Sequence, residues 1–192
     1  MDQLHQVGRA MAQLHQESAD FSLSGNNTLP TLNDCFSGTE DYLFSEKSLL
    51  SDVDRALIQQ AHDLIMKYTN DLYQNSKVHI IHADMHGWNL MWNEGQLSIF
   101  DFDDCGFGFP LQDLATALYY LDTPEQDAAL RRGYESIAPV PECSEKEMKM
   151  LFLQRRIVLL NYLYETSNLE HRSMIPDYQE ETLRRIRNFL AE

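Results

Sequence analysis

A chain of 192 residues is long enough to bury a sizeable core as one domain, and its hydrophobic content of 43% contains no apolar run of membrane-spanning length. A formal charge of −15 disfavours nucleic acid and anionic membrane as partners, since clustered Lys and Arg hold both, and it suits a small cationic substrate such as an amine or amino sugar. Cys35, Cys105 and Cys143 are widely spaced and form no CxxC pair, which argues against a disulfide framework and a zinc ribbon. With no basic start followed by an apolar stretch, a cytoplasmic location is expected.

Leu4, Val7, Met11 and Leu14 share one face of a predicted helix over 2–17, with Gly8 and Ala12 allowing a neighbour to approach closely. On that helix His15 reads as a packed, hydrogen-bonded histidine. Residues 18–37, rich in Ser, Asn, Thr and Gly, read as a loop. Ser51 with Asp54 signals the start of a helix over 51–74, along which Val53, Leu57, Ala61, Leu64, Ile65, Tyr68 and Leu72 recur at helical spacing.

The stretch 78–104, VHIIHADMHGWNLMWNEGQLSIFDFDD, organises the rest. An apolar strand, Val78 to Ile81, leads into a polar knot of His82, Asp84, His86 and Asn89. A turn through Asn93, Glu94 and Gly95 and a second strand, Leu97 to Phe100, complete a predicted hairpin over 78–100 that runs into Asp101, Asp103 and Asp104. Cys105 to Pro110 reads as a flexible connector, because Gly106 and Gly108 lack the third glycine and the βαβ context of a nucleotide-binding turn. Helices are predicted over 111–121, 124–138, 144–168 and 176–190. The buried stripe of the third is Met148, Leu151, Phe152, Leu159, Tyr162 and Leu163, and that of the last is Leu183, Ile186, Phe189 and Leu190. The fold class is α+β, mostly helical.

Carboxylates and an amide gathered at one end of a ribbon are oxygen ligands for a hard cation such as magnesium, which usually accompanies phosphates. The pattern His82-x-Asp84-x-x-x-x-Asn89, with Asp101 ending the next strand, resembles the catalytic loop and metal-binding Asp of protein-kinase-like folds. Its form here, HADMHGWN followed by FDFDD and Gln112-Asp113-Leu114-Ala115, resembles the aminoglycoside phosphotransferase and choline kinase family most. The usual family loop has Gly where Ala83 stands, and Pro-Gly where Gly87 and Trp88 stand.

The resemblance implies an enzyme that moves the γ-phosphate of ATP to a hydroxyl of a small molecule. Asp84 is the expected base that orients the acceptor hydroxyl and takes its proton. Asn89 and Asp101, with Asp103 as a second contributor because alternation along an extended run puts it on the side of Asp101, are the expected magnesium ligands. His82 and Asp113 are expected to brace the loop. Asp104, Tyr164 and Glu165 are further candidates for contacts to the acceptor.

Two other classes compete. His79, His82, Asp84 and His86 form a dense set of potential ligands for a metal-dependent hydrolase, although an offset of three residues along a strand turns His79 away from His82. A non-catalytic substrate-binding or interaction module is the third reading. A kinase-like enzyme also needs a Gly-rich loop and a strand Lys paired with a helix Glu, and no segment before residue 78 has the strands to build them. The expectation is therefore a C-terminal lobe alone, completed by a nucleotide-binding lobe in cis or in trans and weakly active without it.

Overall fold

The computed structural model describes residues 1–21, 28–37 and 39–192, so 22–27 of the loop expected over 18–37 lie outside the described residues. In chain order the elements are α1 (Asp2–Ser18), α2 (Asp52–Asn75), β1 (His79–Ile81), a 3-10 turn (Gly87–Asn89), β2 (Leu90–Asn93), β3 (Gln96–Ile99), β4 (Gly106–Gly108), α3 (Pro110–Tyr119), α4 (Pro124–Glu135), α5 (Glu145–Glu165), α6 (Leu169–Ser173) and α7 (Ile175–Leu190). The protein is mostly helical with small sheets, the class read from its sequence. None of the described helices is long and apolar enough to cross a membrane. The chain divides into two compact units, Met1–Leu32 with Asn75–Ser144, and Asn33–Gln74 with Glu145–Glu192.

In the first unit, α1 and α4 approach closely because glycines stand at the contact. A Cβ on Gly8 would lie 2.0 Å from the Leu130 carbonyl oxygen, and one on Gly133 would lie 2.0 Å from that of His5. Val7, Met11 and Ala12 of α1 are buried beside Ala129, Leu130 and Tyr134 of α4. α3 opens on Pro110, whose fixed φ suits a first helical turn, and Gln112 reaches back so that its Oε1 accepts from the Phe109 N–H at 2.8 Å.

The strand pairing differs from the single hairpin expected over 78–100. The hairpin is β2–β3, with Leu90 opposite Ile99 and Asn93 opposite Gln96. Glu94 and Gly95 turn it, at φ 48° and 80°, the double positive φ of a type I′ turn. β1 instead pairs antiparallel with β4, His79 opposite Gly108 and Ile81 opposite Gly106. β4 is the segment expected to be a flexible connector. Its glycines serve packing: a Cβ on Gly106 would meet the Pro30 carbonyl oxygen at 2.6 Å, and one on Gly108 would meet Ile81 Cδ1 at 2.6 Å. Residues 30–32 flank β4 on its other side, the Phe107 N–H bonding to the Pro30 carbonyl and the Leu32 N–H to the Phe107 carbonyl, each at 2.8 Å.

The second unit is built on α2, α5 and α7 around Leu43, Ile58, Ile65, Ile157, Leu160 and Ile186. The Ser51 hydroxyl caps α2 by accepting from the Asp54 N–H at 3.1 Å. Of the α2 residues expected to face inward, Val53 and Leu64 are exposed, while Ile58 and Thr69, outside that expected stripe, are buried. The buried face of α5 is likewise rotated from the expected stripe. Leu151, Leu153, Arg156, Ile157, Leu160, Asn161 and Leu163 face inward, and Tyr162 is exposed.

Two polar residues explain that rotation. Arg156 donates to Thr182 Oγ1 at 3.0 Å and to the Tyr178 carbonyl at 3.2 Å, and Asn161 bonds the backbone of Glu40 and Tyr42 at 2.8 Å each. A stripe drawn from apolar residues alone leaves both out. α5 ends at Glu165, short of residue 168, because Asn168 caps a separate helix, α6, by accepting from the Glu170 N–H at 2.9 Å.

Candidate active site

β1 delivers the chain into residues 82–89, and a buried carboxylate from α3 holds the entry. Asp113, fully buried, accepts from the Ala83 N–H with Oδ1 at 2.9 Å and from the His82 N–H with Oδ2 at 3.1 Å. His15 of α1 meets Asp113 Oδ2 with Nε2 at 2.9 Å, and its Nδ1 lies 2.9 Å from the Tyr134 hydroxyl. Burial, and then the charge of Asp113, push the Tyr134 hydroxyl up to about 12. The Asp113 carboxylate oxygen is an acceptor, so His15 Nε2 carries a proton towards it.

His82 is also fully buried, and both of its ring nitrogens are engaged. Nδ1 accepts from the Asp84 N–H at 3.3 Å, while Nε2 lies 3.1 Å from the Phe100 carbonyl and must carry the proton. The imidazole ties the loop to the end of β3 and has no lone pair left for a metal. His79 bonds the His15 carbonyl through Nδ1 at 2.8 Å, away from the loop. The ligand set imagined for a metal hydrolase is thus not assembled here.

Within the loop, Asn89 donates both amide hydrogens to Asp84, to its carbonyl at 2.9 Å and to Oδ2 at 3.0 Å. Both partners are acceptors only, so the amide oxygen is turned to the opposite side. His86 accepts from the Trp88 N–H with Nδ1 at 3.2 Å, which leaves Nε2–H to face Asp84 Oδ2 at 3.3 Å. Oδ2 of Asp84 is therefore gripped by two donors. The His86 ring is in turn packed against Tyr120, with centroids 4.6 Å apart.

Asp101 follows directly on Phe100, whose N–H donates to the Asn89 carbonyl at 3.1 Å and whose carbonyl takes the His82 bond. Asp101 adopts φ 63° and Ala83 φ 65°, so two non-glycine residues flank the site in the left-handed region, each costing about 1–2 kcal/mol. The positive φ of Ala83 gives a physical reason for glycine in the usual loop. The Asn89 amide oxygen and the Asp101 carboxylate are hard donors of the kind magnesium takes one or two of, while phosphate and water complete its octahedron.

Other expected members fare differently. The alternation that put Asp103 on the side of Asp101 does not hold, because the positive φ at Asp101 and a turn closed by Cys105 N–H to Phe102 O, 3.1 Å, break the extended run. Asp103 and Asp104 lie beside Cys105, whose thiol is raised by burial and then by their charges. Tyr164 and Glu165 belong to the helical unit, where the Tyr164 hydroxyl bonds Gln179 and burial raises it.

The sequence reading also passed over His86 as a partner of Asp84. It passed over a simple charge signal too: between Lys77 and Arg131 the chain contains no Lys or Arg, while carboxylates recur from Asp84 to Asp127.

Residues 1–144 match the profile of the phosphotransferase enzyme family. The chain belongs to that family. Serine/threonine protein kinase RdoA of Salmonella typhimurium is 25% identical over 170 residues, covering 85% of this chain and 49% of that protein. The chain thus spans about half the length of the curated relatives it matches. Among solved structures, a microcompartment-associated aminopropanol kinase superposes with a TM-score of 0.76 at 23% identity, over 99% of this chain and 62% of that one. The amicoumacin kinase hAmiN in complex with AMP-PNP, Ca2+ and Ami superposes with a TM-score of 0.71 at 19% identity, over 95% and 59%. These phosphotransferase likenesses carry the kinase-like fold across nearly the whole chain.

Proposed function

We propose that this chain provides the catalytic and metal-binding part of an ATP-dependent phosphotransferase acting in the cytoplasm on a hydroxyl of a small molecule. The observation that carries the reading is the Asn89 amide, committed through both hydrogens to Asp84, on a residue whose backbone carbonyl accepts from the Phe100 N–H at 3.1 Å, one residue before Asp101. One loop thereby aims a carboxylate and a neutral metal donor together. In this reading Asp84 orients the acceptor hydroxyl and takes its proton late, as its oxygen bonds to the γ-phosphorus and the bond from that phosphorus to the bridging oxygen of ATP breaks to release ADP. Asn89 and Asp101 hold magnesium, which when bound neutralises charge on the phosphates. His82, Asp113 and His15 position the loop and touch no reacting atom.

The solved neighbour named as an aminopropanol kinase supports a small, amine-bearing acceptor, whereas the name of the RdoA relative would make the acceptor a protein serine or threonine. The relatives' extra length supports a separate nucleotide-binding lobe, in cis or in trans. Without it the phosphates lack a lysine, and ATP binding by this chain alone should be weak.

Addition of Mn2+ with ATP should broaden the nuclear resonances of Asn89 and its neighbours in this chain, and Asp101→Asn should remove that broadening. Broadening elsewhere, or micromolar ATP affinity without another polypeptide, would overturn the reading. In the enzyme completed by its nucleotide-binding lobe, Asp84→Ala should cost about a hundredfold or more in turnover. Unchanged turnover would leave the non-catalytic module.

A further inference from the structure

Trp88 stands in the 3-10 turn of the loop, four residues after Asp84 and one before Asn89, and is 85% exposed. Its backbone is fixed by the bond from its N–H to His86 Nδ1 at 3.2 Å. Its indole, by contrast, makes no ring contact and no hydrogen bond among the described residues. Packing does not require an aromatic residue there, and the turn does not require one either, since a Cβ on the neighbouring Gly87 would also meet open space. A fixed backbone with a bare indole is an arrangement suited to a ligand. The same His86 ring packs against Tyr120, itself 37% exposed, so one part-exposed aromatic ring lies on the histidine that grips Asp84.

Charge decides what kind of ligand. Asp84 is part-exposed and Asp101 and Asp103 are exposed, in a stretch that has no Lys or Arg from residue 78 to residue 130. Such a field repels a carboxylate or a phosphorylated acceptor and draws in an ammonium. Tryptophan is the side chain whose face attracts a cation most strongly.

We propose that Trp88 is the residue on which this chain receives the cationic end of its acceptor, a small amino alcohol whose hydroxyl faces Asp84. This rests on the phosphotransferase reading with its amine-bearing acceptor and adds the side chain that selects that acceptor. The ammonium lies against the indole face, the carboxylates supply the long-range attraction, and the loop fixes the offset between the two recognised groups.

Trp88 and Trp92 are the two tryptophans of the chain, so Trp92→Phe leaves Trp88 as the sole reporter of fluorescence. Titration of that full-length variant with 1-amino-2-propanol should change the emission saturably. The uncharged isostere 2-butanol should need about tenfold more, the size of one cation–π contact. Calorimetry on otherwise native chain should show the amine about tenfold weaker for Trp88→Leu, which keeps apolar bulk without the ring face, and less so for Trp88→Phe. Thermal unfolding should be unchanged, because the side chain is 85% exposed.

Equal saturation by 2-butanol, an unchanged amine affinity in Trp88→Leu, or saturation by a serine peptide with no response to the amine would each overturn the proposal. The Mn2+ and ATP broadening at Asn89 tests the phosphotransferase reading separately, and its survival alongside any of these outcomes would confine the failure to Trp88.

Discussion

In the unit that carries Asp84, the buried side chains His15, His82, Asn89 and Asp113 bond to one another and to the backbone of residues 82–84. In the helical unit, Arg156 and Asn161 tie α5 to α7 and to residues 40–42, around a core that is otherwise apolar. The first set holds irregular backbone that neither a helix nor a sheet would satisfy. The second fastens elements that already satisfy themselves. Stability in the first unit should therefore depend on the chemical identity of a side chain, and in the second on its volume.

The largest effect expected sets two swaps of nearly constant size against each other. Asp113→Asn keeps the shape, but offers one oxygen to the N–H groups of His82, Ala83 and His15 and turns an NH2 on another of them. It should cost about 2–4 kcal/mol. Leu160→Met, fully buried in the helical core, should cost less than about 1.5 kcal/mol. Urea unfolding of both variants measures the difference. If Asp113→Asn costs no more than Leu160→Met, the division between the units fails.

Those partners also mark the limit of what sequence alone could reach. His82, Asp84 and Asn89 lie within one loop, so spacing was enough to bring them together, and the long helices followed from apolar periodicity to within a few residues. Asp113 and His15 are 98 residues apart, and nothing local announces that bond. β4 escaped because a three-residue strand with two glycines has the composition of a connector. The face of α5 escaped because Arg156 and Asn161 are polar yet buried. The argument that put Asp103 on the side of Asp101 lost its premise because alternation assumes extended backbone, and the positive φ at Asp101 is not visible in residue types.

A medium effect uses the same substitution in both units. Ala83→Gly relieves a left-handed alanine, worth about 1–2 kcal/mol, and loses about 0.4–1 kcal/mol through a more flexible unfolded chain. A net stabilisation of about 0.5–1 kcal/mol is expected. Ala61→Gly, fully buried in α2, meets no such strain and should destabilise by about 1 kcal/mol from helix propensity, with more for the lost methyl. Opposite signs in thermal melts would locate the stored strain at the loop; two losses would show that Ala83 is not strained.

The smallest effect belongs to the surface of α7, where neither identity nor volume is under pressure. Glu181 accepts from Arg184 Nε at 2.6 Å and from Arg185 Nε at 2.7 Å, and these bonds hold its carboxyl down at about 2. A depressed folded-state value means that the stabilisation is complete above the ordinary glutamate range and is lost as pH falls towards about 2. Because these charges are partly solvated, Glu181→Gln should cost at most about 1 kcal/mol at pH 7 and nothing at the acid end. Molar salt should shrink that difference further, since it screens exposed pairs, while leaving the Asp113→Asn cost nearly intact because that carboxylate is fully buried. Denaturant titrations of both variants at low and high salt would make the distinction. Equal salt sensitivity would mean that the bonds of Asp113 are as accessible to solvent as those of Glu181, and the loop would then lack the rigid support on which the aim of Asp84 depends.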